Sequence, residues 1–261
     1  MKRFGAALAA LGIMGITSGV AGLPVLTASA GAQTTVKFGA EPMPPRAEAI
    51  ASDKIKDLTA MMVVEETDRD ALAKMGGSFG KSLQYSIKRM NVTYQYPNKA
   101  RFEGKILGAT LLMVYNGDRK MFKTPIKSES KDIHGQPGQK QTLMDLGIFA
   151  RDYLTTDYMP VFVRAENGLQ VFKLSQRFTD NTSHEIVWVN PKTSIIEKRL
   201  SYNGDNILQK ELRFKNPVQV RPGIFLPSRL EIYNTAGEMA AAQAIRDVKV
   251  NLGVDENMFR I

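Results

Sequence analysis

Residues 92–123 read VTYQYPNKARFEGKILGATLLMVYNGDRKMFK. Val92, Tyr94 and Tyr96 alternate with Thr93 and Gln95, and Pro97-Asn98 then interrupts the ladder. Ala100, Phe102 and Gly104 alternate with Arg101, Glu103 and Lys105. An apolar run at 111–115 is turned by Asn116-Gly117-Asp118 into a further strand at 120–123. Successive side chains of a strand point to opposite faces, so a period of two bounded by turn residues predicts antiparallel sheet with one wet face. Asn-Gly supplies the positive φ angles of a tight hairpin.

Working outward, nearly everything after Gly168 reads as strand. Segments 171–174, 185–189, 195–202, 208–214, 225–233 and 241–252 are separated by Asn190-Pro191, Asn203-Gly204, Pro222-Gly223 and Ala236-Gly237. Upstream, 83–96 reads as one long strand, and Val63-Val64 and Thr67 favour strand at 61–67. Ala47, Ile50, Ala51, Ile55 and Leu58 recur at helical spacing and predict an amphipathic helix over 47–58. Leu143, Leu146, Phe149, Ala150, Tyr153 and Leu154 predict a second helix near 142–155, with Pro160 ending that region. Residues 68–82, with Gly76-Gly77 and Gly80, read as a mobile connection. Residues 124–140, with Pro125, Gly135, Pro137 and Gly138, read as a second long loop. There is no internal repeat, and 47–261 reads as a single domain. The fold class is α+β: a curled antiparallel sheet of about ten strands with two or three helices. A sheet that large must curl or be capped. A curled one forms a half-barrel whose concave face the helices cover.

Residues 1–32 read as an export signal, with Lys2 and Arg3 in front and no charge from Ala6 to Leu26. Small residues at Ala28-Ser29-Ala30 and Ala30-Gly31-Ala32 suit cleavage, the favoured site following Ala32. Residues 33–46, with Pro42, Pro44 and Pro45, read as an extended linker. There is no cysteine, which excludes disulfides, thiol catalysis and lipidation on a cysteine of this chain. The net charge is +9, and removing Lys2 and Arg3 leaves +7. A modest positive excess suits an anionic membrane surface, and equally a plain soluble one. The basic residues are scattered rather than clustered, so no nucleic-acid partner is expected.

The two histidines, His134 and His184, have no ligand spacing to one another or to a cysteine, so no metal site is expected. No Gly-x-Ser-x-Gly elbow supports a Ser-His-Asp triad, and no carboxylate pair stands out. Gly76-Gly77-Ser78-Phe79-Gly80 lacks the Lys-Ser/Thr of a phosphate loop. No catalytic residue and no cofactor are assigned. The notable residues are large and apolar on alternating strand positions: Tyr94, Tyr96, Phe102, Met113, Tyr115, Phe122, Phe172, Trp188, Phe214 and Ile232. Singly each suits plain core packing. As a set they exceed what two short helices can cover, which points to an apolar ligand cavity with Leu143, Leu146 and Phe149 in its lid. Thirteen methionines add adaptable surface.

The order of pieces resembles the outer-membrane lipoprotein carriers and sorting proteins, the LolA/LolB-like family. The resemblance rests on the Pro97-Asn98 corner, Arg101-Phe102 after it and the Asn116-Gly117 hairpin about fifteen residues on. It continues in Phe225-Leu226-Pro227, the hairpin at 233–237, Val250-Asn251-Leu252 and Met258-Phe259, across roughly 45–261. It implies a monomeric periplasmic carrier that holds a lipoprotein's acyl chains, or another lipid, in the cavity. The implied partners are the inner- and outer-membrane lipoprotein-transfer proteins. In the best-known carriers an Arg stands directly before the corner and contributes to release; here that position is Tyr96, and the nearest Arg is Arg101. The rival readings are an envelope sensor like the N-terminal domain of the RseB/MucB regulators, and a secreted hydrolase. The first is expected to carry a second partner-binding domain, the second a His-centred constellation.

Overall fold

The alternation at 92–123 becomes four consecutive strands. A computed structural model describes residues 43–75, 87–106, 108–177 and 180–261 of the chain. The expected export signal, most of the linker, the stretch 76–80 and the start of the strand expected at 83–96 lie outside the described residues. The first six strands are β1 (Asp57–Thr67), β2 (Arg89–Gln95), β3 (Lys99–Ile106), β4 (Ala109–Asn116), β5 (Arg119–Lys123) and β6 (Ser128–Asp132). Each is hydrogen-bonded antiparallel to the next. The Tyr96–Pro97 peptide at the corner is cis, and Gly117 in the Asn-Gly turn has φ 60°.

A second meander comprises β7 (Tyr158–Glu166), β8 (Leu169–Gln176), β9 (His184–Val189), β10 (Ile196–Tyr202), β11 (Leu208–Arg221), β12 (Ile224–Tyr233) and β13 (Met239–Val250). The two are joined where β1 pairs antiparallel with β13, giving the order β6-β5-β4-β3-β2-β1-β13-β12-β11-β10-β9-β8-β7. The sheet is a half-barrel that does not close: β6 and β7 are its two edges. Topology therefore fixes the path of 133–157. That segment must carry the chain from one outer edge to the other, and it does so across the concave face.

The helices are shorter than their apolar spacing predicts. In place of a helix over 47–58 there is α1 (Ala47–Ile50). Ala51 is already extended, and Ser52 pairs with Ala150. Leu58 belongs to β1, where it alternates with buried Ala60 and Met62. The helix expected near 142–155 is broken into a 3-10 turn at Leu143–Leu146, an extended segment and α3 (Arg151–Thr156). Gly147 ends the turn at φ 80°. Phe149 N–H donates to the Ser194 carbonyl and Ile196 N–H to the Gly147 carbonyl, so cross-chain bonds replace the helical ones. Helix α2 (Arg69–Ala73) stands in the expected connection 68–82, its N-terminus capped by the Asp68 carboxylate.

The loop expected at 124–140 contains β6, whose five residues are all exposed. Pro160, expected to end a region, lies inside β7. An edge strand tolerates it because one row of its N–H groups has no ladder partner. The described strands number thirteen rather than about ten. On the convex face the C-terminal 3-10 turn Glu256–Phe259 buries Phe259. It is held by Arg101 Nη1 donating to the Met258 carbonyl and Asn116 Nδ2 donating to the Phe259 carbonyl. The same face carries an ion network in which Arg229 meets Glu65, Glu66 and Glu231.

Candidate functional site: the covered concave face

Strand register decides which side chains share a face. In the first meander Tyr94 lies opposite Leu58 and Ala100, Ala100 opposite Tyr115, Phe102 opposite Val92 and Met113, and Met113 opposite Phe122. In the second, Phe214 lies opposite Leu230, and Ile232 opposite Leu212. Leu212 lies opposite Arg199, Arg199 opposite Val187 and Val187 opposite Phe172. The pairs Ile232–Ala241 and Met62–Ile245 carry the same face across β13 and β1. Tyr94, Phe102, Met113, Tyr115, Phe122, Phe172, Phe214 and Ile232 thus share the concave face. They belong to, or pack against, one contiguous apolar cluster.

Two of the ten sequence-selected residues stand elsewhere. Trp188 lies opposite Val171 and Lys198 and points to the convex face. There Lys198 Nζ sits 4.9 Å from its ring centroid, the Arg164 guanidinium 5.8 Å away, and Nε1 donates to Glu166. The run Ile186-Val187-Trp188-Val189 is apolar at every position, so alternation could not select a side. The two valines take the buried positions, and the indole is covered by cations. Tyr96 lies at the proline corner, exposed, with Lys56 Nζ 4.8 Å above its ring.

The crossover supplies the cover. Leu143, Leu146 and Phe149 are all buried. Phe149 stacks on Phe172 with centroids 5.5 Å apart, and Phe162 meets Phe172 edge-on at 5.8 Å. Gly147 approaches so closely that a Cβ there would sit 2.6 Å from Phe214 Cδ1 and 2.9 Å from Pro227 Cγ. The crossover touches both meanders: Lys120 of β5 donates to Gln139, and the Tyr94 hydroxyl of β2 lies 3.3 Å from the Asp152 carboxylate. Burial pushes the Asp152 carboxyl above its ordinary range, and it pushes the Tyr115 hydroxyl up to about 12. Two short ladders flank the segment, Ser52 with Ala150 and Ile148 with Ile195. Near the β6 edge, Lys140 Nζ bridges Asp118 at 3.1 Å and Asp157 at 3.0 Å, beside a cavity of about 330 Å³.

Sequence reading missed the charged residue of this face. Within β10 the polar residues Glu197, Arg199 and Ser201 stand at alternate positions, and nothing in their type marks one of them as buried. The fold turns Arg199 inward, 7 % exposed. Its guanidinium grips Glu185 through Nε at 2.8 Å and Nη2 at 2.5 Å, and Asp145 of the crossover through Nη1 at 2.9 Å. Burial alone would disfavour this charge, but the two carboxylates hold it above its ordinary value. Asp145 also accepts from Thr142 N–H, which closes the capping box of the 3-10 turn. Arg101, in contrast, faces the convex side. His134 pairs with Asp118, and His184 stacks on Tyr202 with centroids 4.9 Å apart.

No protein-family profile and no curated protein matches the sequence. Solved structures match the fold. A domain of an outer membrane lipoprotein-sorting protein from Vibrio parahaemolyticus aligns with a TM-score of 0.55 at 14 % identity, over 82 % of this chain and 92 % of that one. A LolA superfamily protein from Nitrosomonas europaea aligns with a TM-score of 0.51 at 16 % identity, over 82 % of this chain and 94 % of that one. The chain has the LolA-like fold.

Proposed function

We propose that this protein is an exported lipid carrier. Its concave face holds acyl chains of a lipoprotein or a related lipid in the periplasm, on the way to the outer membrane, with no covalent step. The observation that carries the reading is the cover itself. Eight large apolar side chains on one face are closed over by a crossover and not by a second sheet. That crossover is held by two short ladders, the Phe149–Phe172 stack and the Arg199–Asp145 pair. Such a cover can be exchanged for ligand. Each methylene moved from water onto the face contributes about 0.8 kcal/mol, which offsets the contacts given up by Leu146 and Phe149. Tyr96 occupies the position of the carriers' release arginine, and Arg101 points away. Arg199, from the opposite meander, reaches the crossover through Asp145.

The test is native mass spectrometry of the mature protein purified from a periplasm. Bound species with acyl-chain masses, released on mild activation, are the expected result. An empty protein that also fails to bind a fluorescent fatty-acid analogue would overturn the reading.

A further inference from the structure

The concave face is not apolar throughout. Between the 3-10 turn and the ends of β9, β10 and β11 lies a cavity of about 200 Å³. Its sheet side is made by Glu185, Arg199, Ser201 and Lys210, with Tyr158 from β7, and its crossover side includes Lys140 and Asp145. One lining group, the Ser201 hydroxyl, is buried with no hydrogen-bond partner in the structure, so the cavity calls for a role beyond packing.

Its chemistry is that of a donor set. Glu185 and Asp145 use three of the five guanidinium N–H groups of Arg199, leaving two. The Ser201 hydroxyl is buried without a hydrogen-bond partner in the structure. Lys210 and Lys140 bring two ammonium groups to the lining, although Lys140 is also held from outside by Asp118 and Asp157. Both lining carboxylates are already engaged by Arg199. The two remaining guanidinium N–H groups of Arg199 and the Ser201 O–H are donors of the kind an oxyanion accepts from. Burial lowers the Lys210 amine from its ordinary value, and an arriving anion would raise it again.

We propose that this cavity seats the anionic head of the bound lipid, a phosphoryl or carboxyl group, while its chains run past Met144 onto Phe214 and Phe172. The proposal rests on the carrier reading above and narrows it. The cargo is an amphiphile with a charged oxyanion head rather than one with an uncharged glyceryl head. The cavity has room for such a head and not for an acyl chain.

The test displaces a fluorescent acyl probe from the mature protein with three single-chain competitors of equal length: hexadecyl phosphate, palmitate and monopalmitoylglycerol. The two anions are expected to bind at least tenfold tighter than the neutral monoglyceride, and their ratio distinguishes phosphoryl from carboxyl. Removing Arg199 would strand Glu185 and endanger folding, so the variants are Lys210→Met and Ser201→Ala, each checked by circular dichroism. The double variant should lose about tenfold for the anions and keep its monoglyceride affinity. Equal affinity for charged and neutral competitors, or an anion preference unchanged in a folded double variant, overturns the head-group seat and leaves the carrier reading intact. Failure of all three competitors, and of the probe, overturns both.

Discussion

Gly147 is the residue on which the cover turns. Its φ of 80° is left-handed, and the space where a Cβ would go is filled by Phe214 and Pro227. A left-handed L-residue costs roughly 1–2 kcal/mol and crowding in a packed core roughly 1–3 kcal/mol more. Gly147→Ala should therefore lower unfolding free energy by about 2–4 kcal/mol, read from urea midpoints. Phe214 and Trp188 make a matched pair, since sequence gave both the same role and the fold divides them. Phe214→Ala should weaken binding of a fluorescent acyl probe several-fold, while Trp188→Ala should leave it within about twofold. Equal losses would mean that the probe binds outside the concave face. His134 offers a check on the crossover's anchorage. Its hydrogen bond with Asp118 raises its titration midpoint above the ordinary 6.5. The contribution is complete below the ordinary value and is lost as pH rises through the raised midpoint. NMR titration should show that midpoint, and Asp118→Asn should return it towards 6.5.

Among the elements, the crossover is the one whose form determines access. Ile148 and Ile195 face each other as a pair flanked by the bonds of Phe149 to Ser194 and of Ile196 to Gly147. That arrangement brings Cα atoms to about 4.5 Å, within disulfide range. With no native cysteine to interfere, Ile148→Cys with Ile195→Cys should cross-link on oxidation. The oxidised protein should exclude an acyl probe that the reduced protein admits. Undiminished uptake by the locked form would place the ligand outside the cover. The strands around this segment were legible because each alternates against one dry face, as at Ala100, Phe102 and Gly104. The helices were over-read because 47–58 and 142–155 carry apolar residues at spacings that an extended segment between two buried surfaces also satisfies. β6 was illegible for the opposite reason: all five of its residues are exposed, so no contrast marks it. Arg199 escaped notice because a buried ion pair inverts the alternation on which reading a strand depends.

At the scale of the whole molecule, the sheet is two meanders of neighbouring hairpins with one long-range junction. Leu58 of β1 meets Val250 of β13, the two ends of the fold, while every other strand pairs with its neighbour in sequence. Local pairings form quickly and distant ones slowly, because loop closure comes first. Each meander should gain protection from amide exchange before the β1–β13 junction does, measurable by pulse labelling during refolding. Simultaneous protection of all strands would contradict that order.

The same topology makes the cover the sole covalent bridge between the two meanders, while the β1–β13 junction pairs them strand to strand. A break in the backbone near Gly135, an exposed turn residue ahead of the buried crossover, would yield two fragments with complementary unpaired strands. Expressed separately, they should reassemble as a split protein, with β1 of one fragment supplying the missing neighbour of β13 in the other. Reporter halves fused at the cut would then signal assembly. Because that cut lies at one end of the cover, the nicked protein should also exchange ligand faster than the intact chain.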